Sequence, residues 1–324
     1  MNAQSHARKA GLRYYPDSEP GIRRQPRGRG FSYIAPDGTT IADRQERRRI
    51  ESLAVPPAYT DVWISPINLG HVVATGRDQA GRKQHRYHEL WSLYMANIKF
   101  AELREFGEAL PRIRRWIAAK LARDRTDEMT ATACILALMD RMSLRVGSRV
   151  YSRENGSFAA TTLKPDHLLK DDGRWVLKYP AKGGSLVRKP VIGKRLLHHL
   201  SNTEARTLVG WTDASGQHRS VTPGRVQETL EDLAGAQFTA KTFRTWNGSL
   251  AAFLAMAGGT TTIAALSEAA AHKLHNTPAI ARKSYIHPKI VEAAREGHPV
   301  KVEGPGRNGL RRGERELLDF LDEN

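Results

Sequence analysis

The periodicity of the apolar residues changes once along this chain, close to residue 90. Upstream, short apolar stretches are bounded by Gly, Pro and Asp, which is typical of β-strands joined by turns. From Glu89 to Arg141, apolar residues recur three and four positions apart, as on one face of an α-helix. We therefore predict a domain boundary near His88–Ser92. The predicted upstream strands include Phe31–Ile34, Asp61–Ile64 and His71–Ala74, and Asp37-Gly38 predicts a hairpin turn after the first of them.

The helical part is interrupted by a second group of strand-like segments. Glycine-containing turns separate these segments, so they predict a small three-stranded antiparallel sheet. The predicted fold class is α+β: a small N-terminal antiparallel β-sheet domain over residues 1–90, and a larger, mainly α-helical domain with one three-stranded sheet over residues 91–324. The strands of that sheet are predicted at Leu168–Lys170, Trp175–Tyr179 and Ser185–Val187, and helices at Ile192–Leu200, Arg225–Leu233, Thr242–Met256, Thr261–Leu274 and Glu314–Leu321.

A large positive charge indicates the class of partner. The chain has 51 Lys and Arg residues against 34 Asp and Glu residues, a net charge of +17. Because a compact protein with this charge repels itself, a polyanion such as nucleic acid is the expected partner. We find no apolar stretch near ~20 residues, no amphipathic basic helix and no apolar signal-peptide core, so we do not expect a membrane partner. The single cysteine, Cys134, lies in an apolar run and is predicted to be a buried core residue.

Two basic residues of the second part have properties that phosphodiester exchange requires. This chemistry needs a nucleophile, cations near the non-bridging oxygens and an acid for the leaving oxygen. Arg145 comes after an apolar helix and precedes Gly147, where the chain can turn and a phosphate can approach. Lys182 lies at a predicted hairpin tip beside two glycines. The ordinary alternatives are a helix-capping or ion-paired arginine and a solvated loop lysine.

A lysine, an arginine and a tyrosine further along the chain extend this set. Lys241 and Arg244 lie three positions apart at a helix start, so both can face one anion. The alternative is a solvated helix face, although Thr245-Trp246 favours a partly buried arginine. Tyr285 lies in a polar, basic segment, whereas tyrosines are usually packing residues.

Four segments of the second domain, taken in chain order, resemble the type IB DNA topoisomerases, and especially their compact poxvirus-like bacterial branch. The resemblance implies a tyrosine recombinase/type IB topoisomerase catalytic fold and makes Tyr285 the nucleophile. It places Arg145 and Arg244 on the phosphate and makes Lys182 the general acid for the 5′-hydroxyl. It also implies relaxation of both signs of supercoil through a 3′-phosphotyrosyl intermediate, with no ATP, metal or other cofactor. The segments are Arg145, Lys182, Lys241-x-x-Arg244 and Asn276-Thr277-Pro278…Tyr285.

One position departs from the commonest pattern of these enzymes. Many members have histidine nine residues before the tyrosine, where this chain has Asn276. An asparagine amide can donate a neutral hydrogen bond to a non-bridging oxygen, but it cannot become charged. We expect Asn276 to take this role. His275, one residue earlier, is a weaker substitute, because neighbouring residues on a helix point about 100° apart.

The resemblance extends into the first domain, where residues 74–88 are similar to the stretch that grips the duplex. It implies a two-domain, monomeric clamp around double-stranded DNA, associated with the nucleoid. Because the N-terminus lacks the apolar core of a signal peptide, we expect the protein to stay in the cytoplasm. The expected DNA-binding residues are Arg77, Arg82, Lys83 and Arg86 at phosphates, Gln84, His85 and Tyr87 at base edges, and Lys241 in the second domain. The cluster Arg44, Arg47, Arg48 and Arg49 is open to two interpretations, further DNA contacts or the solvated face of a short helix.

Two other functions are weighed against this one. A tyrosine recombinase shares the catalytic set and the 3′-phosphotyrosine, but such enzymes usually carry His-x-x-Arg instead of Lys241-x-x-Arg244 and lack the Thr75–Tyr87 stretch. A non-catalytic basic DNA-binding protein would leave Lys182 and Tyr285 unexplained. The Lys241-x-x-Arg244 motif and the Thr75–Tyr87 stretch favour the topoisomerase over the recombinase.

Overall fold

The computed structural model describes residues 2–124, 126–201 and 206–322, with the backbone alone at positions 150 and 151. By its internal contacts the chain divides into two compact units, Met1–Lys99 and Phe100–Asn324. We describe each unit by itself. The α+β class predicted from the sequence is confirmed, since a five-stranded antiparallel sheet comes first and a mainly helical part with small sheets comes second.

The first unit is built on the antiparallel sheet, with strand order β2-β1-β3-β4-β5. Its small core contains Ile22, Val62, Ile64 and Ala74 from the sheet, and Ile50 of a short helix covers one face. Strand β1 was not predicted, because Pro26 and three arginines hide its two-residue alternation. The elements of this unit are α1 (Ala3–Lys9), β1 (Ile22–Arg27), β2 (Gly30–Ile34), α2 (Arg44–Ser52), β3 (Thr60–Ile64), β4 (Val72–Arg77), β5 (Lys83–Tyr87) and α3 (Glu89–Ala101), in which the division of the units falls.

The predicted hairpin turn at Asp37-Gly38 forms, although a short bridge replaces the second strand. The backbone of Ile34 pairs with Thr40, and the Asp37 carboxylate accepts hydrogen bonds from the amide and hydroxyl of Thr39. The turn thus folds the chain back along β2.

The second unit is mainly helical, and α5 lies at its centre. From Thr130 to Met142 this helix is buried on all sides except at Arg141, and Cys134 is buried within it as expected. The unit contains α4 (Leu103–Leu121), α5 (Glu128–Met142), α6 (Arg149–Asn155), β6 (Leu168–Asp171), β7 (Arg174–Pro180), β8 (Leu186–Pro190), α7 (Lys194–Ser201), β9 (Gly210–Thr212), β10 (His218–Ser220), α8 (Pro223–Ala234), α9 (Ala240–Ala257), α10 (Ile263–Leu274), α11 (Pro278–Tyr285), α12 (Pro288–Glu296) and α13 (Glu314–Asp322).

Helices α4 and α9 pack on α5 because each has a continuous apolar face. In α4, Phe106, Leu110, Ile113 and Ile117 recur three and four positions apart, and all are buried. The predicted three-stranded sheet is present with strand order β6-β7-β8. The prediction of one sheet in this domain is wrong, however, because β9 and β10 form a second. Each of these strands has three residues, which is too short for a recognisable alternation.

A buried group of charges attaches α13 to the centre of the unit. Arg114 of α4 donates hydrogen bonds to Asp140 of α5 at 2.9 and 3.1 Å and to Glu314 of α13 at 2.6 and 2.8 Å. Glu314 also accepts the indole N–H of Trp246 at 3.0 Å, and Arg311 pairs with Asp140. Both carboxylates are almost fully buried. Removing one partner of such a network costs about 3–5 kcal/mol, so α13 is an integral part of the fold.

Within the described ranges, the helices are all too short or too polar to cross a membrane.

Candidate active site

The site is organised around the C-terminal ends of α5 and α10. Each helix ends in a residue with left-handed backbone, Ser143 at φ 58° and His275 at φ 48°. This conformation stops a helix and redirects the chain. Arg145 comes after the first end and Asn276 after the second, and the two side chains meet: Arg145 Nη2 donates a hydrogen bond of 2.8 Å to Asn276 Oδ1.

The loop that carries Arg145 is held by backbone hydrogen bonds to a short 3-10 helix, Ala160–Thr162. The Ala160 N–H donates to the Arg145 carbonyl, and the Thr161 N–H and hydroxyl both donate to the Val146 carbonyl, all at 2.9 Å. Gly147 has a φ of 106°, and a Cβ there would lie 2.8 Å from the Thr161 hydroxyl. A glycine is therefore needed for this close approach.

Arg244 lies inside the protein on α9, with 3 % of its surface exposed. Its Nη1 donates to the Ser143 carbonyl at 2.5 Å, and its Nη2 donates to the Leu274 carbonyl at 3.0 Å. The guanidinium thus bridges the two helix ends. Its Cζ lies 5.1 Å from the centre of the Tyr285 ring.

Tyr285 is the last residue of α11 and packs against α9. The backbone carbonyl of Tyr285 accepts a hydrogen bond of 3.1 Å from Ser249. At Gly248 a Cβ would lie 2.8 Å from that carbonyl and 3.0 Å from the tyrosine Cβ, so the missing side chain makes the contact possible. Neither Gly248 nor Ser249 was found from the sequence, because their role depends on a contact 36 positions away.

The surroundings of Tyr285 favour its ionised form. Burial alone would raise its pKa, but the charge of Arg244 and a hydrogen bond from it, with the charge of Lys241, lower the pKa below its ordinary value. The Lys241 ammonium lies 6.0 Å from the ring centre. Lys241 is exposed whereas Arg244 is buried, so the two cations reach the same tyrosine from different depths.

Lys182 lies at the tip of the β7–β8 hairpin, as predicted. Gly183 and Gly184 both have positive φ, and the Ala181 N–H donates to the Ser185 carbonyl to close the turn. The Lys182 side chain lines an open cavity of about 700 Å³ together with Arg145, Asn276 and Tyr285. Four of the five predicted catalytic residues therefore share one cavity, and Arg244 contacts the tyrosine.

Two buried N–H groups of this cluster lack a hydrogen-bond partner among the described residues, Asn276 Nδ2 and Arg244 Nε. An unpaired buried donor costs about 1–3 kcal/mol. Donors in such a position are suited to an anionic oxygen that enters the site.

The expectation for His275 rested on a helix that is not there. Residues 275 and 276 lie between α10 and α11, so the 100° divergence of helical neighbours does not apply. His275 lines the same cavity as Asn276. Burial and the nearby Lys189, His272 and Arg244 charges lower its pKa to about 4, so its imidazole is neutral at neutral pH.

The DNA-binding residues predicted in the first unit lie on and around the β4–β5 hairpin. The rings of His85 and Tyr87 stack at 5.9 Å on the exposed edge strand β5. Arg86 donates a hydrogen bond of 2.8 Å to the Ala54 carbonyl. The other members bind carboxylates, Arg77 at Asp61, Lys83 at Asp17, and Arg82 and Gln84 at Asp78.

The arginine cluster of α2 is divided between residues that bind carboxylates and residues that are exposed. Arg49 binds Glu46 through two hydrogen bonds, and Arg47 lies 3.5 Å from Glu51. Arg44 and Arg48 are exposed. Arg47 and Arg49 are thus held by carboxylates of their own helix, and for the exposed Arg44 and Arg48 both interpretations, DNA contact and solvated helix face, stay predictions.

In the part of the chain that the structure describes, no group of three or more His, Cys, Asp or Glu side chains could hold a metal ion.

Comparison with known proteins agrees with the resemblance found in the sequence. The family described as bacterial DNA topoisomerase IB, N-terminal domain, matches residues 30–78, and the family described as eukaryotic DNA topoisomerase I, catalytic core, matches residues 94–277. The DNA topoisomerase 1B of Acanthamoeba polyphaga mimivirus is 26% identical over 290 residues, which cover 82% of this chain and 85% of the viral protein. Since the catalytic-core match alone spans more than half of the 324 residues, the chain belongs to the type IB DNA topoisomerases, as its motifs predict.

Proposed function

We propose that this topoisomerase relaxes DNA by a reversible transesterification in which Tyr285 is the nucleophile. The Tyr285 oxygen attacks the phosphorus of one phosphodiester, a 3′-phosphotyrosyl bond forms, and the bond to the 5′-oxygen breaks. The tyrosine proton leaves and the 5′-oxygen takes up another, so charge and atoms balance. After the free end has rotated, the 5′-hydroxyl attacks the phosphotyrosine and restores the strand.

The observation that carries this proposal is the shared cavity. Tyr285 lines it beside Arg145, Lys182 and Asn276, and its pKa is lowered chiefly by Arg244 against the effect of burial. A tyrosine that exists as a packing residue needs no such surroundings. A lowered pKa favours the phenolate, which is the attacking form and also a good leaving group in religation.

Three side chains are assigned to the phosphate. Arginine stays protonated and presents several N–H donors in one plane, which suits charge that develops on two non-bridging oxygens. Arg145 and Arg244 have this role in the proposal. Asn276 adds a neutral donor through its Nδ2, which is buried and otherwise lacks a partner among the described residues.

Lys182 is assigned to the leaving oxygen. An alkoxide is far more basic than a lysine amine, so an ammonium can protonate the departing 5′-oxygen. The hairpin tip has two glycines with positive φ and lines the cavity together with Asn276 and Thr277. Because the phosphotyrosyl bond conserves the energy of the phosphodiester, relaxation of either sign of supercoil requires no ATP. In this proposal arginines supply the positive charge, so no metal is required.

We propose that the first unit contributes to duplex binding through the β4–β5 hairpin, whose cations can exchange their carboxylate partners for phosphates. The stacked, exposed His85 and Tyr87 rings are available for base edges. A monomer suffices for the reaction, because all proposed catalytic residues belong to one unit of one chain.

The nucleophile is tested with a suicide DNA substrate that traps the covalent adduct. Wild-type protein is expected to become attached to the 3′-end of the cleaved strand, and peptide mapping should locate the bond at Tyr285. Tyr285→Phe should bind DNA but form no adduct and relax no plasmid, with EDTA present and ATP absent in all reactions. Tyr179→Phe is the matched control, because burial raises the pKa of this neighbouring tyrosine to about 12 and it should still allow the adduct. Relaxation by Tyr285→Phe near the wild-type rate would refute the assignment.

A further inference from the structure

A lysine that the sequence did not single out bridges the same two helix ends as Arg244. Lys189 of β8 is partly buried, and its ammonium donates hydrogen bonds to the Met142 carbonyl at 2.5 Å and to the Lys273 carbonyl at 2.6 Å. Met142 is the last residue of α5, and Lys273 is in the last turn of α10. Lys189 therefore links α5 to α10.

Arg244 makes the equivalent link one residue further along both helices. It binds the carbonyls of Ser143 and Leu274, whereas Lys189 binds those of Met142 and Lys273. The two cations thus form consecutive bridges between the same two segments. A weaker third contact comes from the Lys273 ammonium, which donates to the Arg141 carbonyl at 3.3 Å.

The two bridges offset the electrostatic repulsion between the adjacent helix ends. The last carbonyls of an α-helix lack partners within the helix, and together they carry a partial negative charge. Two such ends brought side by side repel each other, and both sets of carbonyls lose water. A cation with N–H donors compensates both effects, and the partly buried Lys189 reaches the carbonyls of both helices.

The position of Lys189 matters because both helix ends lead directly into residues of the site. Arg145 comes two residues after Ser143, and Asn276 comes two residues after Leu274. Their mutual hydrogen bond of 2.8 Å requires that the two ends keep a fixed separation. Lys189 and Arg145 also line one small internal cavity with Arg244 and His275.

We propose that Lys189 is a positioning residue for strand cleavage: by bridging the ends of α5 and α10 it sets the separation of Arg145 and Asn276, without touching DNA itself. This inference rests on the proposed function, in which those two residues hold the scissile phosphate. It assigns Lys189 a role that Arg244 cannot take alone, since Arg244 is also bound to Tyr285.

The test measures single-turnover cleavage of a suicide substrate, which separates the rate from the fraction of active molecules. Lys189→Met removes the donors at nearly constant length, and its cleavage rate is expected to fall about ten- to hundredfold, as for a small misplacement of reacting groups. The burst amplitude and the affinity for DNA should stay near the wild-type values. Lys189→Arg keeps a charge and several donors and should recover part of the rate. Lys301→Met, which removes one charge at an exposed lysine, should cleave like wild type.

Wild-type rates for both Lys189→Met and Lys189→Arg would overturn the proposal. A loss of amplitude at an unchanged rate would also overturn it, because that result describes a lysine that only supports folding. If Lys189→Met does not fold, Lys189→Gln decides the matter, since its amide still donates to one carbonyl: a reduced rate supports the proposal and a wild-type rate refutes it. Failure of the proposed function looks different, because wild-type protein would then form no adduct at Tyr285.

Discussion

The two units of this enzyme use basic side chains in opposite ways. In the first unit, Arg77, Arg82 and Lys83 are exposed and bind nearby carboxylates. In the second, the buried Arg244 and the partly buried Lys189 bind backbone carbonyls of helix ends. The same residue types thus lie on a solvated surface in one unit, and in the other they bind helix-end carbonyls away from solvent.

This difference predicts that the first unit determines DNA affinity and the second unit determines the rate of cleavage. An exposed ion pair contributes about 0–1 kcal/mol, so a phosphate can replace the carboxylate with little loss. A buried guanidinium with fixed acceptors cannot reorient, and it can therefore be preorganised for a transition state. We expect substitutions in the first unit to change DNA binding and its salt dependence, and substitutions in the second to change the rate of cleavage.

The largest effect is expected at the hairpin tip. Lys182→Ala should slow cleavage about 10²–10⁴-fold, because the 5′-oxygen then leaves without a proton. A sulfur in place of that bridging oxygen should restore most of the rate, since a thiolate needs no proton to leave. Single-turnover cleavage of the two substrates measures the rescue. If sulfur fails to rescue Lys182→Ala, Lys182 binds the phosphate and is not the general acid. Lys241 would then be the next candidate for the general acid.

A slightly smaller loss is expected at the buried arginine. Arg244→Ala should lower the cleavage rate about 10²–10³-fold, because one donor to the developing charge is lost. The bridging sulfur should recover little of this loss, in contrast to Lys182→Ala. Arg244→Lys keeps the charge but not the planar donors, and it should remain far below wild type. Equal rescue of Arg244→Ala and Lys182→Ala by sulfur would erase the distinction between these two roles.

A steric change on α9 should have an intermediate effect. In Gly248→Ala the new Cβ would lie 2.8 Å from the Tyr285 carbonyl and 3.0 Å from the Tyr285 Cβ, so α11 must shift. We expect cleavage to slow about tenfold while DNA affinity is unchanged, as for a small displacement of the nucleophile. Gly224→Ala, in the first turn of α8 where the nearest atom lies 3.8 Å from a new Cβ, controls for loss of a helical glycine. A wild-type cleavage rate in Gly248→Ala would show that the close contact is dispensable.

The bridge lysine should give a change of several-fold that depends on pH. Burial, and then the charges of Lys273, Arg244 and Arg145, lower the pKa of Lys189 to about 7. The side chain is therefore a charged ammonium below that pH and a neutral amine above it. The neighbouring His275 has a pKa of about 4 and stays neutral throughout. The ratio of the cleavage rate of Lys189→Arg to that of wild type should therefore rise as the pH passes 7. A ratio independent of pH would mean that the charge of Lys189 does not contribute.

The smallest effect is expected on the surface of the first unit. Arg77→Ala should reduce the slope of log affinity against log salt by about 0.9 if Arg77 neutralises one phosphate. Cleavage at saturating DNA should stay at the wild-type rate. Arg44→Ala, measured in the same way, separates the two interpretations of the α2 cluster, because a solvated helix face would leave the slope unchanged. A drop in the saturated cleavage rate of Arg77→Ala would contradict the division between binding and chemistry.

The sequence predicted those parts of the fold whose pattern is local. Helices such as α9 and the β6–β7–β8 sheet were recognisable, since apolar periodicity and glycine-rich turns are set within a few residues. Strand β5 was not recognised as a strand, although its residues had been singled out for DNA binding. It is an edge strand with Gln84 as its least exposed residue, so it has no apolar alternation to recognise.

The candidate site divides in the same way. Arg145, Lys182 and Tyr285 were found because a family motif marks them in order along the chain. Lys189 and Gly248 were not found, because their contacts are with elements that are far away in sequence. The hydrogen bond from Lys189 to the Lys273 carbonyl spans 84 positions, and no local pattern reports it.

The buried charge network around Asp140 has a consequence for biosynthesis. Arg114 and Asp140 reach Glu314 and Arg311 across 200 and 171 positions of the chain. At about 5–20 residues per second, a ribosome needs roughly 10–40 seconds to make 200 residues. For most of that time Asp140, near the end of α5, lacks its partner Arg311, and Arg114 of α4 lacks Glu314. The frame of the candidate site is therefore completed late in translation, because a nascent chain that still lacks residues 311–314 does not yet have all the partners of the helices that lead to Arg145.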